Sequence, residues 1–128
     1  MLNKLVLNMM MKGEQPRIAL VFDAPGKTFR HEIYQDYKAN RAEAPVDLIP
    51  QFGLIRQVAT AYGIAQLEAP TFEADDVIAT LANMAMEEGV DTNILSGDKD
   101  LMQLVTPRYV PYKYIVMFVF CWSNKCLI

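Results

Sequence analysis

Six carboxylates in three short clusters are the residues of this chain best suited to do chemistry. They are Asp23, which closes the run Val21-Phe22-Asp23; Glu73, Asp75 and Asp76 in Glu-Ala-Asp-Asp; and Asp98 and Asp100 in Ser96-Gly97-Asp98-Lys99-Asp100. Each cluster falls where a strand or helix is expected to begin or end. Brought into one pocket, six like charges would repel and lose hydration, which requires protons or cations among them. Magnesium is the natural cation, because it prefers hard oxygen ligands and keeps several waters, so scattered carboxylates suit it better than a closed cage. Two such ions side by side activate a water and stabilise the leaving oxygen of a phosphodiester, with no need of a nucleophilic Ser, Cys or His. On this reading the lone His31 is not a catalytic base.

The elements that must position these acids alternate between helix and strand. Leu2, Leu5, Val6, Met9 and Met10 share a helical face, with Gly13 as the stop and Pro16 beyond it. Ile18 to Phe22 is a continuous apolar run of strand length, the pattern of a buried parallel strand, with Asp23 at its carboxyl end. Helices are expected over Phe29 to Lys38 and Pro50 to Tyr62, the second with a stripe of Phe52, Ile55, Ala59 and Tyr62. A short strand near Ile64 to Leu67 precedes a helix capped by Thr71 and running to Glu88, with Val77, Leu81, Met84 and Ala85 facing the core. Thr92 to Ser96 is a further strand, and Leu101 to Val105 a short helix.

This alternation predicts an α/β layer structure with a mainly parallel sheet. In such sheets ligands bind beyond the carboxyl ends of the strands, where Asp23 and the Asp98/Asp100 pair belong. Glu73, Asp75 and Asp76 would occupy the first turn of their helix. The helix dipole stabilises acids there by about 0.3 to 1 kcal/mol each, so an ordinary acidic helix start accounts for this cluster equally well. At 100° per residue Glu73 and Asp76 lie close on the wheel and Asp75 well round from both.

A second region bears on binding. Lys27, Arg30, Lys38 and Arg41 supply four of the twelve basic residues within fifteen positions, interleaved with Phe29, Tyr34 and Tyr37. Basic groups contact phosphates and aromatic rings stack on unpaired bases, although a solvated helix face has the same composition. Gly26-Lys27-Thr28 imitates the end of a phosphate-binding P-loop, but position 21, where that loop needs glycine, is Val. Gly97-Asp98-Lys99-Asp100 likewise resembles the metal-binding turn of haloacid-dehalogenase-type phosphatases, whose Asp-x-Asp-x-Thr/Val after a strand is missing. No nucleotide cofactor is expected.

Composition bounds the rest. The 128 residues are 52% apolar, enough for one domain with a sizeable core, and the net charge of -3 argues against nucleic acid only until metal offsets the acids. Cys121 and Cys126 lie near the end with no histidine beside them, as reduced thiols of a cytoplasmic protein do. Met1 to Met11 lacks a signal-peptide cleavage site, and the longest apolar run, Ile115 to Trp122, is far short of the roughly 20 residues that span a bilayer.

Four motifs in order, Val-Phe-Asp-Ala-Pro-Gly-Lys-Thr-Phe-Arg (21–30), Tyr-Lys-Ala-Asn-Arg (37–41), Glu-Ala-Asp-Asp-Val-Ile (73–78) and Gly-Asp-Lys-Asp (97–100), resemble the 5′-nuclease (5′-3′ exonuclease) domain of bacterial DNA polymerase I. The likeness covers about Leu2 to Pro107. It implies the three-layer PIN-like fold shared with flap endonucleases and cleavage near the 5′ ends or flaps of DNA, dependent on two or more Mg²⁺ or Mn²⁺ ions. It further implies that Asp23, Glu73, Asp75, Asp76, Asp98 and Asp100 are the catalytic, metal-site acids. Arg30, Tyr37, Lys38 and Arg41, with Lys27 beside them, match the DNA-binding gateway through which a 5′ strand passes.

The chain also departs from that pattern. Family members open with a strand ending in Asp-Gly, here missing, and continue into a helix-hairpin-helix element preceded by a further acidic pair. Residues 1–110 are thus expected to be a partial nuclease domain. Residues 111–128 are an atypical apolar tail, from a shifted reading frame or an apolar partner-binding segment. Absence of a central first strand would leave strand edges unpaired and activity impaired. A noncatalytic DNA-binding remnant and a PIN-type ribonuclease remain alternatives; oligomeric state is left open.

Overall fold

The computed structural model describes residues 17–40, 45–105 and 114–120, the last stretch as backbone. The helix expected over Leu2 to Met10, Arg41 and both cysteines lie outside the described residues. Four strands, β1 (Arg17–Phe22), β2 (Ala65–Leu67), β3 (Asp91–Leu95) and β4 (Tyr114–Phe120), form one parallel sheet in the order β2-β1-β4-β3. Helices α1 (Phe29–Ile33), α2 (Ile49–Ala61) and α3 (Ala74–Glu87) and a 3₁₀ helix (Lys99–Leu104) connect them. The layered α/β architecture agrees with the PIN-like expectation.

Alternation along β1 builds two cores. Val21 turns to one face and packs with Ala74 and Ile78 of α3 and Leu101 of the 3₁₀ helix, while Leu20 and Phe22 turn to the other and meet Ala59 of α2. Both faces of β1 are therefore covered, which is why Ile18 to Phe22 carries no polar residue. Fully burying Leu20, Val21 and Ile78 contributes about 1.5 to 3 kcal/mol each.

Within the apolar run read as an atypical tail, residues 114–120 form a strand that lies between β1 and β3 in the sheet. Residues 114–120 pair with β1 from Arg17↔Ile115 to Phe22↔Phe120 and with β3 from Asp91↔Tyr114 to Leu95↔Phe118. A parallel strand with hydrogen-bonded neighbours on both sides commonly reads as continuous apolar sequence, as β1 does.

Three local expectations shift. α1 stops at Ile33 because Tyr34 is extended (φ -141°, ψ 108°), and turns follow to residue 40, with Lys38 left-handed at φ 60°. The cap of α3 is Glu73, not Thr71, whose φ of 68° is incompatible with the extended geometry a cap needs. The strand expected over Thr92 to Ser96 begins and ends one residue earlier. Among the described residues no helix is long and apolar enough to cross a membrane.

Candidate active site

The parallel registers align the carboxyl ends of β1, β4 and β3, so Asp23, just after β1, and Asp98, just after β3, stand at one edge of the sheet. The N-terminus of α3 meets the same edge. Asp23 Oδ1 accepts a hydrogen bond from the Ala74 backbone N–H at 2.7 Å, using one of the helix's otherwise unpaired donors. Ala74 is fully buried beneath it, which fixes this junction.

Asp75 is the pivot of the cluster. Burial raises its pKa to about 6, and the charges of Asp98, Asp23 and Glu73 add to the rise, with Lys38 opposing. Its Oδ1 is buried and has no hydrogen-bond partner. An orphaned carboxylate oxygen surrounded by three other acids is unstable without a proton or a cation. Four hard oxygen donors, Asp23, Glu73, Asp75 and Asp98, have the chemistry that Mg²⁺ or Mn²⁺ requires. As the side chains are placed, however, no three such groups among the described residues are close enough to hold an ion.

Two cations already sit against this acidic edge. Arg30 donates from Nη1 to Asp76 Oδ2 at 2.6 Å and from Nη2 to Asp76 Oδ1 at 2.7 Å, while its Nη1 lies 4.0 Å from Glu73 Oε2. That fork raises the Arg30 pKa and lowers that of Asp76, the shared hydrogen bonds being the largest cause of each. Asp76 Oδ2 also accepts from the Glu73 N–H at 3.0 Å. Lys38 Nζ donates to Glu73 Oε1 at 2.8 Å, and the Tyr37 hydroxyl reaches Glu73 Oε2 at 3.4 Å. Glu73, 9% exposed, is the one buried charged residue among those described.

The segment carrying these cations is fastened by its backbone and rings. Phe29 N–H donates to Thr71 O at 2.9 Å, and the Phe29 and Phe72 rings lie 5.6 Å apart. Arg30 also rests over the Phe29 ring at 4.6 Å. His31 Nδ1 accepts from the Thr28 N–H at 3.1 Å, so this histidine caps α1 and points to no catalytic role.

The sequence-derived residues thus divide. The charges of Asp23, Glu73 and Asp98 bear on Asp75, and Arg30, Tyr37 and Lys38 reach Glu73 or Asp76. Asp98 Oδ1 is also occupied locally by the Asp100 N–H at 2.9 Å, and the exposed Asp100 is not among the charges acting on Asp75. Lys27 is exposed in the loop before α1, and Arg41 lies outside the described residues. A cavity of about 690 Å³ between α3, β3 and the 3₁₀ helix reaches Asp98 but none of the other five acids. Sequence reasoning missed Thr71 and Phe72 as anchors, and nothing in their spacing from Phe29 signals the contact.

Comparison with known proteins adds the family context. The pattern of the 5′-3′ exonuclease N-terminal resolvase-like domain matches residues 1–124, a span that includes β4. DNA polymerase I of Rhizobium leguminosarum is 52% identical over 95 residues, which cover 74% of this chain and 9% of the polymerase. The thermostable DNA polymerase I of Thermus aquaticus is 42% identical over 117 residues, covering 89% of the chain and 14% of the polymerase. For DNA polymerase I of Bacillus caldotenax the values are 45% over 105 residues, 81% and 12%. The chain therefore spans roughly a tenth of the length of these relatives.

Proposed function

The chain belongs to the 5′-3′ exonuclease N-terminal resolvase-like domain family, and from that premise we propose that it acts on DNA with 5′ ends or flaps by metal-dependent phosphodiester hydrolysis. The observation that carries this reading is the meeting of a basic, aromatic segment with an acidic helix start at the carboxyl edge of a parallel sheet. Arg30 and Lys38 lie within hydrogen-bond distance of Asp76 and Glu73, so phosphate-binding and cation-binding groups share one site.

In this reading Asp23, Glu73, Asp75 and Asp98 would hold the cations, with Asp76 and Asp100 as the remaining acids of the site. Bound Mg²⁺ or Mn²⁺ would supply Lewis-acid polarisation of the phosphodiester and a water of lowered pKa. The protein's own groups do the rest. Lys27, Arg30 and Lys38, with Arg41, attract and orient the strand through its phosphates, and Tyr37 offers a ring to an unpaired base. The Asp23 to Ala74 hydrogen bond keeps β1 and α3 in register, so that acids from separate segments present one surface.

Activity is expected to be weak. Glu73 and Asp76 are engaged by cations of the chain itself, and no three acids are grouped among the described residues. The same observations favour a second reading, a noncatalytic DNA-binding domain. Incubating the protein with 5′-flap DNA and with flap RNA, in Mg²⁺ and in Mn²⁺, separates the possibilities. Slow DNA cleavage that disappears in Asp75→Asn is the expected result. Salt-sensitive DNA binding with no cleavage in either metal would select the noncatalytic reading, and preference for RNA would identify a PIN-type ribonuclease.

A further inference from the structure

One aromatic ring beside the acids stands half open to solvent. Phe72, immediately before Glu73, is 46% exposed. Its ring meets that of Phe29 at 5.6 Å with a tilt of 52°, and the Arg30 guanidinium lies over Phe29 at 4.6 Å. Tyr37 has neighbours on its ring already: the Lys38 ammonium lies over it at 5.2 Å, and the His31 ring meets it in a T-shape at 5.4 Å. The backbone leading into Phe72 is strained. Thr71 is left-handed at φ 68°, an outlier for a β-branched residue, and its carbonyl oxygen accepts the Phe29 N–H at 2.9 Å. Thr71 and Lys38 are the two non-glycine residues of positive φ among those described; one lies two positions before Glu73 and the other is hydrogen-bonded to it. Strain of this kind gathers at ligand-binding sites.

We infer that Phe72, supported by Phe29, is a stacking platform for a nucleobase of an unpaired DNA strand. The inference rests on the strand-binding half of the reading above and needs no metal. Every base has an apolar, polarisable face that an exposed aromatic ring can cover, whatever the sequence. Charge selects the base over the phosphate at this position. Glu73 follows Phe72 directly and Asp76 holds Arg30, so an anion placed here meets like charge, whereas an uncharged base does not. The phosphates of the same strand belong nearer Lys27, which is exposed two positions before Phe29. A base inside a duplex has its faces covered by its neighbours, so the platform favours unpaired strands over paired ones.

Fluorescence anisotropy with 5′-flap DNA in EDTA, the flap carrying either its bases or abasic sites throughout, tests the platform. Phe72→Leu, which keeps an apolar side chain against Phe29, is expected to bind the intact flap about tenfold more weakly than the parent, a loss within the range of base stacking on an aromatic ring. On the abasic flap parent and variant should bind alike, because the partner of the ring is the base. The salt slope should be the same for both, since no phosphate contact is removed, and Phe72→Tyr should bind as the parent does. Phe72→Met makes the same comparison if Phe72→Leu fails to fold. Equal affinity of parent and variant for the intact flap, or an equal loss on the abasic flap, overturns the platform and leaves Phe72 a packing partner of Phe29. If the parent binds neither flap, the strand-binding reading fails, and the platform with it.

Discussion

Arg30 grips Asp76 with both arms of its guanidinium, at 2.6 and 2.7 Å, across 46 positions of sequence. This fork joins the segment after β1 to the first turn of α3 and sets the angle at which the basic residues face the acids. Both side chains are under a third exposed, so the pair lies between a surface ion pair and a fully buried one.

Arg30→Ala is expected to destabilise the chain by about 1 to 2 kcal/mol, because it strands a partly buried carboxylate. Arg30→Lys should recover less than half of the loss, since an ammonium cannot reproduce the planar fork. The lowered pKa of Asp76 fixes the pH dependence: the pair's contribution is full above the ordinary aspartate range and is lost as pH falls through the lowered pKa. Thermal denaturation between neutral pH and about pH 3 measures both effects; full rescue by Lys would show that charge alone matters.

Asp75 behaves oppositely. Its folded pKa of about 6 lies above the unfolded value, so the folded chain binds more protons in that window and loses stability as pH rises through it. The cost is complete above about pH 6. Solvent screening reduces it to about 1 kcal/mol, and Asp75→Asn should raise the metal-free melting temperature by about 3 to 5 °C near pH 7.5. Below about pH 3, where aspartate is protonated in both states, the two proteins should melt together. A lower melting temperature for the variant at neutral pH would remove the orphaned charge as a source of strain.

β4 is flanked by hydrogen-bonded neighbours on both sides, so a proline within it removes ladder bonds that an edge strand would not miss. Met117→Pro is expected to abolish cooperative unfolding followed by circular dichroism, whereas Gln66→Pro in the edge strand β2 should leave it cooperative. Hydrogen exchange should likewise rank the β4 amides among the slowest. Rapid exchange at 115–119 would show that this segment does not anchor the sheet.

Lys27 is exposed before α1, and the ion pairs to Glu73 and Asp76 are made by Arg30 and Lys38. Lys27→Ala should weaken binding of 5′-flap DNA with little change in melting temperature, and lower the salt slope by about one. Binding of unchanged affinity and slope would exclude Lys27 from the strand path.

The amino-acid sequence by itself determined the order and kind of most elements, because apolar runs and helical stripes are local consequences of burial. Ile18 to Phe22, the stripe of α2 and the acidic start of α3 were all legible this way, as was the family, whose motifs are contiguous words. It also placed Asp23 and Asp98 at strand ends, where a parallel sheet presents its ligands. Only the tertiary structure decided which charge answers which: Arg30 and Asp76 are 46 positions apart, Lys38 and Glu73 are 35 apart, and no periodicity links them. Likewise, composition could describe 114–120 as apolar but not as central, since a strand's place in a sheet is set by the partners that complete its hydrogen bonds.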